Sequence, residues 1–214
     1  MIIKQCKHPL LYTIVFHTVF SVPAAQFAYN EKLDGLLLGT STPDISRSDL
    51  VVNVIRNMLR YGGYKPAGRG KPSSEYLYKL KESGLLPSVN PVVDIGNAVS
   101  CYSGIPLSVV DLKKLTGSCC IRLGDDNERY VFNQSGQVIE CNGLIVLSDS
   151  EGPCANPVKD SMRTKTDAAT LETITVLWGA KDVAAVVEDT FLWYKELLSD
   201  VDKYSYVEQC MAIE

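Results

Sequence analysis

The 214-residue chain reads as an α+β protein, with a mainly antiparallel or mixed sheet and flanking helices. Three observations carry this reading. Helical spacing dominates the first half of the sequence. The second half switches to short runs separated by turn signals. A helical pattern then returns after one more strand, without the strict alternation of a doubly wound fold. The length allows one sizeable core, or at most two small domains.

The elements follow in order. "LYTIVFHTVF" (11–20) is rich in β-branched and aromatic residues and reads as a buried strand. With the basic residues before it and Ala24-Ala25 after it, the segment loosely mimics a signal peptide. Pro9 at its start and His17 within it favour the strand. The run is too short to cross a bilayer as a helix. "LDGLLLG" (33–39) suits either a strand or one helical turn. Leu50, Val51, Val54, Ile55, Met58 and Leu59 recur at helical spacing, and Gly62-Gly63 ends that segment.

A Pro/Gly-rich loop, "KPAGRGKPSS", gathers Lys65, Arg69 and Lys71, with Arg60 just upstream. Ser73 or Ser74 suits the cap of the next helix, "EYLYKLKESG", which stops at Gly84. In the second half, "SCCIRL", "RYVFN", "QVIEC" and "LIVLSD" read as strands paired as hairpins across "GDDN" and "QSGQ". A polar loop, "SEGPCANPVKDSMRTKTDAAT", precedes the strand "ETITVLWG". The amphipathic helix "DVAAVVEDTFLWYKELLSDV" is expected to close the chain.

Composition narrows the function classes. The net charge is −4, so RNA contact would rest on a local basic patch or on one recognised end. The seven cysteines are odd in number, two are adjacent, and none form a CxxC pair. They are expected as free thiols in a reducing cytoplasm, neither a zinc site nor a disulfide framework. His8 and His17 are the only histidines, so no metal is expected. No P-loop or GxGxxG appears, and no cofactor is expected. A catalytic triad would have to borrow a histidine from the N-terminal strand, where His17 reads better as a satisfied core residue. An enzyme of this composition would position water against an already labile bond. An amino acid esterified to a ribose hydroxyl is such a bond.

The segment "NPVVDIGNAVSCYSGIP" (90–106) carries the most chemistry. Asn90 and Pro91 suit a helix start, and Gly104 followed by Ile105-Pro106 suits its end. At about 100° per residue, Val92, Ile95, Ala98, Val99 and Tyr102 share one face. Asp94, Asn97 and Cys101 share another, beside a small-residue edge at Gly96 and Ser100. Such a polar stripe either satisfies neighbouring backbone or faces a cavity.

The ordered set N-P-x-V-D-x-x-N-x-V, G-x-P-L and D-L-x-K-L, then "IRLGDDNERYVF" and "LIVLSD", resembles the B3/B4 domain of the phenylalanyl-tRNA synthetase beta subunit. The likeness implies a single B3/B4-like domain over 1–214. Residues 1–65 would supply the N-terminal strand and helix, and 66–214 the core of the resemblance. It also implies a cytoplasmic, trans-acting editing hydrolase that deacylates mischarged tRNA by positioning water, without DNA or membrane as a partner. Asn97 would position the water. Gly96, Ser108, Lys159, Asp160, Ser161 and Trp178 would meet the substrate, and Arg69, Lys71, Arg163 and Lys165 the RNA. Asp94 is expected to tie its helix to neighbouring backbone. The chain departs from the family's pattern at four places. A histidine falls at Ser108, a threonine at Gly96, an arginine at Pro87, and a glutamate at Leu177 or Trp178. The tyrosine-selective pocket is therefore not preserved. The rival reading is a non-catalytic module that binds an amino-acid-like ligand or an RNA end.

Overall fold

A computed structural model describes residues 2–84 and 86–213; Met1, Leu85 and Glu214 lie outside them. Strands β1 (Ile2–Gln5) and β2 (Leu11–Val19) come first. Four helices follow: α1 (Glu31–Leu38), α2 (Asp49–Arg60), α3 (Ser73–Glu82) and α4 (Pro91–Ser103). Seven strands come next: β3 (Leu107–Asp111), β4 (Cys120–Leu123), β5 (Arg129–Val131), β6 (Val138–Glu140), β7 (Ile145–Asp149), β8 (Gly152–Ala155) and β9 (Glu172–Ala180). Helix α5 (Ala184–Val201) and strands β10 (Tyr206–Gln209) and β11 (Met211–Ile213) complete the order.

Two larger sheets result. One runs β10-β2-β9-β3 and is antiparallel throughout. The other runs β11-β1-β4-β7-β8, parallel on its first side and antiparallel on its second. The expected α+β class with antiparallel and mixed sheets is what the chain adopts. The long pairing of β2 with β9 buries Ile14, Val15, Phe16, Ile174, Val176 and Trp178. This accounts for the strand character of 11–20. His17 sits in that strand with its Nε2 2.9 Å from Glu172 Oε2.

Several elements differ from the sequence reading. "LDGLLLG" takes the helical one of its two expected forms and is longer than a single turn, because the Asn30 side chain accepts from Leu33 N and Gly39 ends the helix at φ +73°. Of the expected hairpins, β5–β6 forms one, but β4 pairs with the distant β7. The chain does not close on a helix: β10 and β11 add an edge to each sheet. Ser73 and Ser74 do not cap α3. Ser74 Oγ instead donates to Gly104 O at 2.9 Å, fastening α3 to the end of α4.

Helix α4 packs against α1, α3, α5 and β3. Its apolar face, Val92, Ile95, Ala98 and Val99, belongs to a core cluster that draws on residues from Ile3 to Cys210. Among the described residues no helix is long and apolar enough to cross a membrane, and all seven cysteines are free thiols.

Candidate functional site

Helix α4 and strand β3 set the frame. The Asn90 side chain accepts from Val93 N at 3.0 Å to open the helix. Gly104, at φ +81°, closes it and turns the chain into β3. Along the polar stripe the three residues separate in role. Asp94 is fully buried and accepts from Tyr29 Oη at 2.6 Å, Ser88 Oγ at 2.9 Å and Val89 N at 2.9 Å. It ties α4 to the chain on two sides. Burial, helped by the Asp94 contact, pushes the Tyr29 phenol up to about 12. Cys101 is fully buried, and burial pushes its thiol up to about 11. Asn97 alone opens on a cavity of about 300 Å³. Its amide makes no hydrogen bond to another described residue.

The cavity is walled by Asn97 and Val93 of α4, by Leu107 and Val109 of β3, and by Asp160, Lys165 and Thr166 of the loop before β9. Asp160 is the carboxylate in this wall. Ser108 Oγ donates to Asp160 Oδ1 at 2.6 Å, and Trp178 Nε1 donates to Ser108 Oγ at 2.9 Å. Since the indole N–H occupies one lone pair of Oγ, the hydroxyl proton is left to point at Asp160 or at Asn156 O, 3.2 Å away. Burial raises Asp160 to about 7. The Ser108 hydroxyl, the Asn156 and Val109 amides and the Lys165 charge offset only part of that rise.

The loop that carries Asp160 is built by an Asn-Pro turn. Asn156 Oδ1 accepts from Val158 N at 2.8 Å and Lys159 N at 2.9 Å. Its Nδ2 donates to Tyr130 Oη, which donates in turn to Lys159 O at 2.6 Å. Asn156 and Tyr130 were not singled out from sequence. The Asn-Pro dipeptide in "CANPVKD" was the available signal for the first.

The structure does not put every expected residue on the cavity. Gly96 is buried beneath β3, where a Cβ would lie 2.9 Å from Leu107 Cδ2 and 3.3 Å from Val109 Cγ2. It lets strand and helix approach closely and makes no ligand space of its own. Ser108 and Trp178 are 1% and 0% exposed, so they stand behind Asp160 and do not reach the cavity. Leu177 is likewise fully buried. Ser161 is buried and its Oγ accepts from Arg163 N at 3.2 Å, capping a short turn. Arg163 is held by protein: its Nη1 and Nη2 each lie 2.8 Å from the Asp149 carboxylate. Burial works against ionisation of Asp149, yet Arg163 and the amides of Thr116 and Glu151 hold its carboxyl below the usual range. Lys165 faces the cavity and anchors one N–H on Phe132 O at 2.5 Å. Lys159, by contrast, leaves the cavity and lies over the Phe132 ring, 4.1 Å from its centroid.

Lys159 instead joins Arg69 and Lys71 on a groove of about 800 Å³, together with Arg47, Lys79 and the exposed Tyr76. Glu75 on the same wall is already bound by Arg56. Two of the four expected RNA contacts are therefore side by side, in a groove with net positive charge.

Residues 65–183 match the family described as "B3/4 domain", more than half of the chain. The chain belongs to the B3/4 domain family. Curated relatives agree with this membership. The phenylalanine–tRNA ligase beta subunit of Shewanella oneidensis is 36% identical over 77 residues, 36% of this chain and 10% of that protein. The Wolbachia counterpart is 27% identical over 115 residues, 54% of this chain and 14% of that one. This B3/4 chain thus spans about a tenth of the length of the curated relatives it matches. An N-terminal fragment of the Pyrococcus horikoshii phenylalanyl-tRNA synthetase beta subunit superposes with a TM-score of 0.57 at 8% identity, covering 100% of this chain and 51% of the fragment. At that identity the likeness concerns the fold alone.

Proposed function

We propose that this B3/4 chain is a trans-acting hydrolase that cleaves the ester between an amino acid and the 3′ end of tRNA, in the cytoplasm. The observation that carries the reading is the cavity of about 300 Å³ onto which Asn97, Asp160 and Lys165 all open. Its size lies at the small end of ligand sites, suited to one aminoacyl group. The beta subunits to which the chain is similar are ligases that handle such esters, and this supports the substrate class. The core shared between both ends of the chain supports treating 1–214 as one unit.

With histidine scarce, the positioned water needs another base. Asp160, raised to about 7, makes a base available at neutral pH. In the proposed reaction its carboxylate takes a proton from a water held beside Asn97. The water oxygen attacks the ester carbonyl, and the Lys165 ammonium and Asn97 amide stabilise the resulting oxyanion. The ester C–O bond then breaks, and Asp160 returns its proton to the departing ribose oxygen. A free amino acid and an uncharged tRNA leave. The groove with Arg69, Lys71 and Lys159 would hold the RNA backbone.

A deacylation assay over a panel of aminoacyl-tRNAs tests the reading. We expect turnover of at least one of them, reduced about 100-fold or more in Asn97→Ala. Thermal stabilisation by an aminoacyl ligand with no hydrolysis of any panel member would select the non-catalytic binding module instead.

A further inference from the structure

We infer that a second hollow, separate from the Asp160 cavity, is a binding site for a phosphate group. It measures about 390 Å³ and lies between the 39–46 loop, α3 and the end of α4. Arg47 and Lys81 supply its charge, and no carboxylate is among its lining residues. In a chain of net charge −4, an acid-free hollow with two cations stands out.

Neither cation is neutralised by protein. Among the described residues, Arg47 and Lys81 take part in no ion pair. Aromatic rings hold them instead. The Arg47 guanidinium lies 4.3 Å from the Tyr78 centroid. Lys81 Nζ lies 4.9 Å from the Tyr102 centroid and 5.5 Å from that of Tyr78. A ring face attracts the positive charge without using up an N–H donor, so the donors remain for a ligand.

Arg47 Nε is buried and has no hydrogen-bond partner. A guanidinium N–H left in that state is costly unless something else accepts from it. Thr40 and Ser41 spend their main-chain amides on Gly35 O, closing α1. Ser41, Thr42 and Ser46 line the hollow, and their hydroxyls make no hydrogen bond to described residues. Two unpaired cations and three lining residues with unbonded hydroxyls suit a tetrahedral oxyanion with several acceptor oxygens. A single carboxylate would leave most of these donors unused. The hollow shares Arg47 and Tyr78 with the basic groove. The phosphate can therefore belong to a small phosphate monoester or to an RNA strand passing through that groove. The site's chemistry is independent of hydrolysis at Asp160.

Titration of the 15N-labelled full chain with inorganic phosphate, at constant ionic strength against chloride, tests this. Saturable amide shifts confined to 39–47 and 78–81 are expected. Arg47→Met and Lys81→Met keep the apolar stems and should each weaken the apparent affinity about tenfold. The same spectra report whether each variant is folded. Two competition arms separate the sources. Displacement of phosphate by AMP but not by single-stranded RNA at equal phosphate concentration assigns a monoester. Displacement by RNA, with added shifts near Arg69 and Lys71, assigns a backbone phosphate. Absence of saturable shifts in the wild-type chain, or equal affinity in folded Arg47→Met and Lys81→Met, would overturn the assignment.

Discussion

Trp178 Nε1 donates to Ser108 Oγ over 2.9 Å, joining the C-terminal part of β9 to the start of β3 directly behind Asp160. The contact fixes which way the serine hydroxyl faces. It makes a residue that never meets the cavity part of the site's acid–base chemistry.

The first prediction concerns that relay. Ser108→Ala removes a donor that lowers the Asp160 pKa, so the midpoint of the pH–rate profile should move up by about one unit. It also leaves the buried indole N–H without an acceptor, which should cost about 1–3 kcal/mol of stability. Rate profiles across pH 5–9, beside thermal melts, read both effects. An unshifted midpoint with lowered stability would reduce Ser108 to a packing role.

Asp160 should also destabilise the fold at alkaline pH. Its folded value lies above the ordinary one, so the folded chain holds the proton more tightly between about 4 and 7. Its contribution is present below that window and lost as pH rises through it. Asp160→Asn should therefore stabilise the chain by about 1–2 kcal/mol at pH 8, allowing for solvent in the cavity. Near pH 4 it should change little. Denaturant melts at the two pH values give the comparison, and a variant less stable than wild type at pH 8 would count against the raised value.

Arg163 and Lys165 should part company. Arg163→Ala strands the fully buried Asp149 carboxylate and should cost about 3–5 kcal/mol, without altering the salt dependence of RNA binding. Lys165→Ala should cost less than about 1 kcal/mol yet lower deacylation. Arg69→Ala and Lys71→Ala should each reduce the slope of log affinity against log salt by about one. Filter-binding titrations at several salt concentrations would show whether Arg163 has been misassigned to structure.

How much of this was legible in sequence depends on the range of the interactions. The helix ends at Asn90 and Gly104, the stripe of Asp94, Asn97 and Cys101, and the strand at 11–20 follow from local rules, and the structure agrees with them. Strands β1, β3, β8, β10 and β11 escaped notice because they are short, and all but β8 gain their character from partners far along the chain. The polar site residues were less legible still. The pairing of Arg163 with Asp149 was hidden because that partner is 14 residues away and buried. Asp160 looked like one polar loop residue among several. Its raised value arises from burial against β3 and β9, which no local pattern announces.

Gly96 carries a further prediction. Gly96→Ala gains helix propensity of about 1 kcal/mol but presses on Leu107 and Val109. The two effects should nearly cancel, leaving stability within about 1 kcal/mol of wild type. Because both displaced side chains line the cavity, activity should fall while the melt is almost unchanged. A wild-type rate in this variant would show that the β3 wall does not shape the substrate site.

The most direct measurement is the single-turnover deacylation rate of the best aminoacyl-tRNA as a function of pH, for wild type and Asp160→Asn. We predict a one-proton rise centred near 7 in wild type, and in the variant a rate at least about 100-fold lower with no such rise. An identical rise in Asp160→Asn, or wild-type hydrolysis that ignores pH between 5 and 9, would contradict the assignment of Asp160 as the base.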